Sequence, residues 1–361
     1  MSEIKNRLKK TFLEMINISE VYPEENKIVS YLMNRLKEND IEIQKDSFGN
    51  LIAKVSGKEK GTPLLLNTHM DIPEPNPNVK YSQRKDVIKS SGENILGADP
   101  KSGLAIIVEF LVDYASDKSN NKRAIEAVFT RGEEAGLRGA INLDYSLLDS
   151  IEGVVLDEDG PVTQVVSQAP CFVKFDAQFT GKAVHPREPE NGVNALQVAS
   201  EAISSVNWGY SHNEVTWNIG ILKSGTARNT VPGKAELEAE LRSFNTRLAQ
   251  KEGERIEKIF KNTAKKHGAS CQVQKELFFE GYKLSQQRGI IKKMEKVYNE
   301  MDLKPNFFAT FGGSDANVIN SHGINVATLG SGYHNAHQHN EYVDLSEMEQ
   351  IYWFLKRLAK V

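Results

Sequence analysis

The chain has 361 residues, 39% of them hydrophobic, which is more than one core usually holds; two domains are expected and a disordered chain is excluded. Its 45 basic and 48 acidic side chains leave a formal net charge of −3, with no block of like charge long enough to track a phosphate backbone, so nucleic acid is not expected as a partner. The two cysteines, Cys171 and Cys271, lie far apart and form no CxxC pair, so any metal must be held by His and carboxylate.

The opening MSEIKNRLKKTFLEM lacks a secretory h-region and cleavage site, and no run of 18 apolar residues occurs anywhere. A cytoplasmic protein with no membrane partner is therefore expected. Apolar residues at Leu8, Phe12, Met15 and Ile16, and again at Ile28, Tyr31, Leu32 and Leu36, predict helical structure broken at Pro23. Short apolar runs follow, each closed by Gly, Pro or Asp: NLIAKV, PLLLNTHMD, AIEAVFTRGEE, GVVLDEDG and, much later, INVATLGSG. They alternate with helical stretches such as 102–114, the pattern of an α/β domain with a largely parallel central sheet. Over 172–282 the texture changes. Strand-like FVKFDAQFTG, EVTWNIGILKSG and KAELEAELRSF surround helical pieces at 192–206 and 246–267. This predicts an inserted α+β domain, with the first domain split into 1–171 and 283–361.

Chemistry-bearing residues gather where the apolar runs end. His69 and Asp71 lie two apart at the end of PLLLNTHMD, on one face of a strand; a turn cap is the bland reading. Asp99 in ILGADPKSG reads alone as an N-cap. Glu133 and Glu134 are adjacent carboxylates that repel each other unless a cation, a proton or solvent compensates them. Asp157 closes GVVLDEDG, and GYHNAHQHNEY packs His334, His337 and His339 into six residues. Each is dismissible singly. Five strand ends offering His or carboxylate to one edge of a parallel sheet together describe an O- and N-ligand pocket, suited to two divalent ions about 3.5 to 4 Å apart.

The ordered set HMD, GADPKSG, RGEEAG, LDEDG, GKAVHP, GTARNTVP, GGSDAN and AHQHNEYV runs from about Asn50 to the C-terminus. It resembles the metallopeptidase family of peptidase T, acetylornithine deacetylase and bacterial carboxypeptidase G, and is most similar to the peptidase T-like branch. That resemblance implies a zinc-exopeptidase-like catalytic domain with an inserted, ferredoxin-like lid and dimerisation domain. It implies an aminopeptidase acting on short peptides, a homodimer, and two Zn²⁺ per subunit in sites that Co²⁺ or Mn²⁺ also fit. His69 and Asp157 would hold one zinc, Glu134 and His337 the other, with Asp99 bridging. His337 is selected among the three histidines because the family's ligand stands four residues before the glutamate of the NEY-like motif, here Glu341. Glu133 matches the general base and Asp71 the carboxylate that orients the imidazole. His185 matches a histidine that reaches the partner subunit's site and stabilises the oxyanion. Asn229 and Arg242 match substrate contacts, with the planar fork of Arg242 suited to a terminal carboxylate; ordinary surface polarity, and a cross-strand ion pair for Arg242, are the plain alternatives.

A deacylase of N-acyl amino acids is the rival reading on the same site. A non-catalytic binding protein would have lost ligands or base, and all are present. Two departures stand out. Pro100 follows Asp99 where the family usually has a polar residue joined through a cis peptide, so a cis Asp99-Pro100 bond is predicted; an X-Pro bond lowers the cis cost to roughly 0.5 to 1 kcal/mol. Phe311 stands where peptidase T has an arginine.

Overall fold

Four apolar runs, each long enough for a strand and bounded by turn residues, build the centre of the larger sheet in this computed structural model, which describes residues 2–58, 61–117, 122–212, 214–287 and 289–361. Strands Ile125–Thr130, Leu64–His69, Glu152–Glu158 and Asn325–Gly330 lie side by side in that order, all parallel. Leu64, Leu65, Leu66, Val154, Val155 and Leu156 have no exposed surface, as parallel strands covered on both faces require. Antiparallel strands flank this centre: Leu51–Val55 and Glu42–Lys45 on one side, Gln164–Ala169 on the other. A smaller sheet joins Tyr333–His334, Tyr342–Asp344, Val87–Ser90 and Tyr81–Arg84.

The helix expected over 102–114 runs from Ala98 to Ser116 and is buried almost all round, from Leu104 to Leu111 without a break. It starts earlier than its apolar pattern suggests because Gly97, at φ 72°, turns the chain directly into it. Asp99 interrupts the first turn with extended backbone (φ −80°, ψ 117°). The first helical region is two helices, Glu3–Ile16 and Asn26–Lys37, separated around Pro23.

The chain divides into two compact units. One comprises Met1–Ser167, Lys283–Ala309 and Ser314–Val361; the other comprises Gln168–Tyr282 and Thr310–Gly313. The second unit is a five-stranded antiparallel sheet in the order Gly209–His212, Val215–Ser224, Lys234–Ser243, Cys171–Thr180, Ser270–Phe279. Cys171–Thr180 alternates strictly, sending Val173, Phe175, Ala177 and Phe179 to one face. Helices Ala195–Ser204 and Thr246–Lys266 cover that face, with Phe260 5.7 Å from Phe175 and 5.4 Å from Phe179, ring centre to ring centre. Burying each such aromatic contributes about 1.5 to 3 kcal/mol. The 192–206 helix is shorter than expected because the Asn194 side chain accepts from the Leu196 and Gln197 amides and fixes its start there. The architecture is the expected one: an α/β layer with a parallel centre, and a separate α+β unit.

Candidate metal centre and active site

Parallel strands open their carboxyl ends along one edge, which is where ligands collect in α/β sheets. His69 is the last residue of its strand, paired in register with Thr130 at the end of the neighbouring one. Asp157 stands one residue before the end of Glu152–Glu158. Glu133 and Glu134 follow Thr130 in a turn, Asp99 sits at the helix interruption, and His337 lies between Tyr333–His334 and Tyr342–Asp344.

These residues converge. His69 Nε2 is 3.0 Å from Asp99 Oδ1 and 3.3 Å from Asp157 Oδ1. His337 Nε2 is 3.2 Å from Asp99 Oδ2 and 2.8 Å from Glu134 Oε1. The two oxygens of Asp99 therefore face two different imidazoles. Ligand atoms of His69, Asp99 and Asp157 lie within 4.8 Å of one another, as do those of Asp99, Glu134 and His337, and those of His69, Glu133 and Glu134. Asp99, with extended backbone just before the helix proper, keeps a position suited to an N-cap, yet both of its oxygens face imidazoles. The Asp99-Pro100 bond is cis, as expected.

Asp71 is fully buried and meets more than the His69 imidazole. Its Oδ1 lies 3.5 Å from His69 Nδ1, while the Glu133 N–H donates to Oδ1 at 3.0 Å and the Glu134 N–H to Oδ2 at 3.2 Å. It pins the turn that carries both glutamates. His337 adopts a left-handed backbone, φ 62°, and so does Asn335, φ 59°. For such residues this costs of order 1 to 3 kcal/mol and is typical of sites where a side chain must be aimed. Asp159 Oδ2 helps hold the loop by accepting the Asn335 N–H.

The electrostatics are those of crowded carboxylates. Burial, reinforced by Asp157, pushes Glu133 well above its usual range, with His69 opposing. Burial likewise lifts Asp157 to about 8. Burial resists charge on His69, yet the surrounding Asp157, Asp71 and Asp99 raise it well above an ordinary histidine. His337 rises to about 10 through Asp99 and Glu134. Asp99 goes the other way: burial opposes its charge, but His337 and His69 hold it below the carboxylate range.

The other histidines of the tract turn elsewhere, His334 to Glu347 at 2.8 Å and His339 to Glu74 at 3.5 Å. His185, Asn229 and Arg242 all belong to the second unit. His185 and Asn229 are exposed, and His185 Nδ1 accepts the Arg187 N–H. Arg242 is half-buried: Nε and Nη2 donate to the two oxygens of Glu240, Nη1 donates to the Phe311 carbonyl at 2.9 Å, and the guanidinium sits 5.0 Å from the Phe172 ring. The ion pair it makes is with a residue two back on its own strand, not the cross-strand pair anticipated for it.

Two buried carboxylates, Glu341 and Asp315, support the site in ways the sequence does not signal. Glu341, used only to choose among histidines, accepts the Gly97 N–H at 2.7 Å and the Asp99 N–H at 3.0 Å, fixing the backbone of Asp99. Asp315, the first residue of helix Asp315–Ser321, takes the Thr130 hydroxyl through Oδ2, tying that helix to the strand end beside His69. The NEY motif marks Glu341 as a residue but not these bonds; Asp315 has only a helix start to mark it.

Comparison with known proteins adds an independent line. A crystal structure of aminopeptidase PepT from Bacillus cereus is 30% identical, with a TM-score of 0.88 over 99% of this chain and 98% of that one. A Staphylococcus aureus tripeptidase is also 30% identical, with a TM-score of 0.92 and the same coverage. YqjE of Bacillus subtilis, an uncharacterized protein, is 31% identical over 351 residues, 95% of this chain and 94% of its own. The model of peptidase family M20/M25/M40 matches residues 65–361, and with the site geometry above this establishes that the chain belongs to that family.

Proposed function

We propose that the chain is a metal-dependent exopeptidase of the aminopeptidase type acting on short peptides, with Zn²⁺ held by His69 and Asp157 on one side of Asp99 and by Glu134 and His337 on the other. The observation that carries the reading is the Asp99 carboxylate, buried, with one oxygen toward each histidine. The donor set fits such a pair of ions: carboxylate oxygens and imidazole nitrogens. A buried atom supports the fit. Glu134 Oε1 accepts no hydrogen bond although His337 Nε2 lies 2.8 Å away, so the two atoms are close but misaligned for each other, as donors sharing a third centre would be.

When bound, the metals supply Lewis acidity toward the scissile carbonyl and the attacking water. Glu133 takes the proton from that water as its oxygen bonds to the carbonyl carbon, and returns it to the amine nitrogen as the C–N bond breaks. Asp71 holds Glu133 and Glu134 through their amides, so the base and its neighbour keep separate tasks. His185 would stabilise the developing oxyanion across a homodimer, and Asn229 and Arg242 would contact the peptide. Support for a dimer through the second unit comes from Trp208, 83% exposed, and Tyr210, 59% exposed, at the sheet's edge strand. Among the described residues no helix is long and apolar enough to cross a membrane; a cytoplasmic location is part of the proposal.

The test is a panel of dipeptides, tripeptides and N-acetyl amino acids with metal-reconstituted protein, products identified by mass. Release of N-terminal residues is expected. Faster cleavage of the N-acetyl amino acids than of any peptide would overturn the substrate assignment in favour of deacylation.

A further inference from the structure

Glu25 occupies the N-cap position of helix Asn26–Lys37, is fully buried, and makes no capping bond to that helix. The capping task belongs to Glu20, whose Oε2 accepts the Lys27 and Ile28 amides. The Glu25 carboxylate instead crosses to a turn more than a hundred residues away. Its Oε2 takes Arg131 Nη2 at 2.6 Å and Nε at 3.2 Å, and its Oε1 takes the Gly132 N–H at 3.1 Å. Arg131 is anchored further by the carbonyls of Pro23 and Phe48, and its own N–H donates to Asn50 Oδ1.

The consequence lies in the backbone. Gly132, Glu133 and Glu134 are three consecutive residues whose amides all donate to fully buried carboxylates, the first to Glu25 and the next two to Asp71. Gly132 has φ 59°, and a Cβ there would come within 2.5 Å of the Tyr22 ring, so the turn is shaped against the same N-terminal segment that delivers Glu25. We propose that Glu25, charge-balanced by Arg131, is a positioning residue for Glu133, acting through the Gly132 amide. A buried carboxylate accepting an amide holds it more firmly than a neutral acceptor, and the bond lies one peptide unit from the base. The inference rests on Glu133 being the base.

Glu25→Gln keeps an oxygen for Gly132 but loses the charge that holds Arg131; Glu25→Ala loses both. Both are compared with Glu20→Ala, which weakens the cap of the same helix without touching the turn, and with Glu133→Gln. The expected order of kcat is wild type, then Glu25→Gln, then Glu25→Ala, the last lower by about tenfold to a hundredfold, with KM within about twofold. Zinc content should be unchanged, and amide exchange over 130–136 should quicken in both Glu25 variants. Glu20→Ala should lower thermal stability and keep kcat. If Glu25→Ala does not fold, exchange in Glu25→Gln decides: wild-type protection of the turn overturns the proposal. Retained kcat in both Glu25 variants, alongside an inactive Glu133→Gln, also overturns it while leaving the base assignment standing. Full turnover by Glu133→Gln takes both down.

Discussion

Replacing Asp71 by Asn should damage the turn that carries Glu133 and Glu134 while changing the shape of the site by almost nothing. The carboxylate is fully buried and receives two backbone amides at 3.0 and 3.2 Å. Hydrogen bonds to a charged acceptor contribute about 1.5 to 3 kcal/mol each, a neutral one about 0.5 to 1.5, and an unsatisfied buried donor costs about 1 to 3. The amide oxygen of Asn can serve one N–H as a neutral acceptor, while its NH₂ faces the other. The net loss is about 2 to 4 kcal/mol of folding stability. Turnover should fall further than stability implies, because displacing a base by about 1 Å can cost about a hundredfold. Urea unfolding with saturating metal measures the first quantity and kcat on the best peptide of the panel the second. A stability loss below about 1 kcal/mol with kcat unchanged would show that Asp71 does not hold the turn.

Removing the metals should lower stability as well as activity, because the ions bind only the folded chain; at a free ion concentration of 100 Kd the contribution is about 2.7 kcal/mol. Thermal melts with and without chelator read this, and coincident curves would contradict a metal centre. Arg242 should become a better reader of a terminal carboxylate when Glu240→Gln frees its fork: KM should fall for peptides with a free C-terminus and stay unchanged for C-terminal amides. Equal shifts for both would remove Arg242 from carboxylate recognition. Away from the site, burial favours protonated Glu152, but Lys293 and Arg123 outweigh it and hold the folded pKa below the ordinary value. Its stabilisation is therefore full above the unfolded pKa of about 4.3 and is lost as pH falls through the lower folded value. Glu152→Gln should destabilise at pH 7 and match wild type at strongly acid pH; a difference that persists in acid would contradict this linkage.

The parallel sheet is legible in the sequence because strands covered on both faces read as unbroken apolar runs, and PLLLNTHMD and GVVLDEDG are such runs. The α+β unit is legible through the strict alternation of FVKFDAQFTG. Strand Tyr81–Arg84, four residues all exposed, carries no alternation to read. In the site, the five candidate ligands share a signal, each lying at or beside the end of an apolar element. Which of three histidines meets Asp99 has no such signal, since the answer depends on a left-handed backbone at His337 and on His334 being drawn to Glu347. The supports are less legible still. Nothing in YPEEN separates Glu25, buried and bonded to Gly132, from the exposed Glu24 beside it. Such partners are made by the fold, across more than a hundred residues of chain.

The most direct test is anomalous diffraction at the zinc edge from crystals of zinc-reconstituted protein. Two peaks are expected, one on each side of the Asp99 carboxylate, the first bounded by His69 and Asp157 and the second by Glu134 and His337. No peak there, or peaks elsewhere on the chain, would contradict the account.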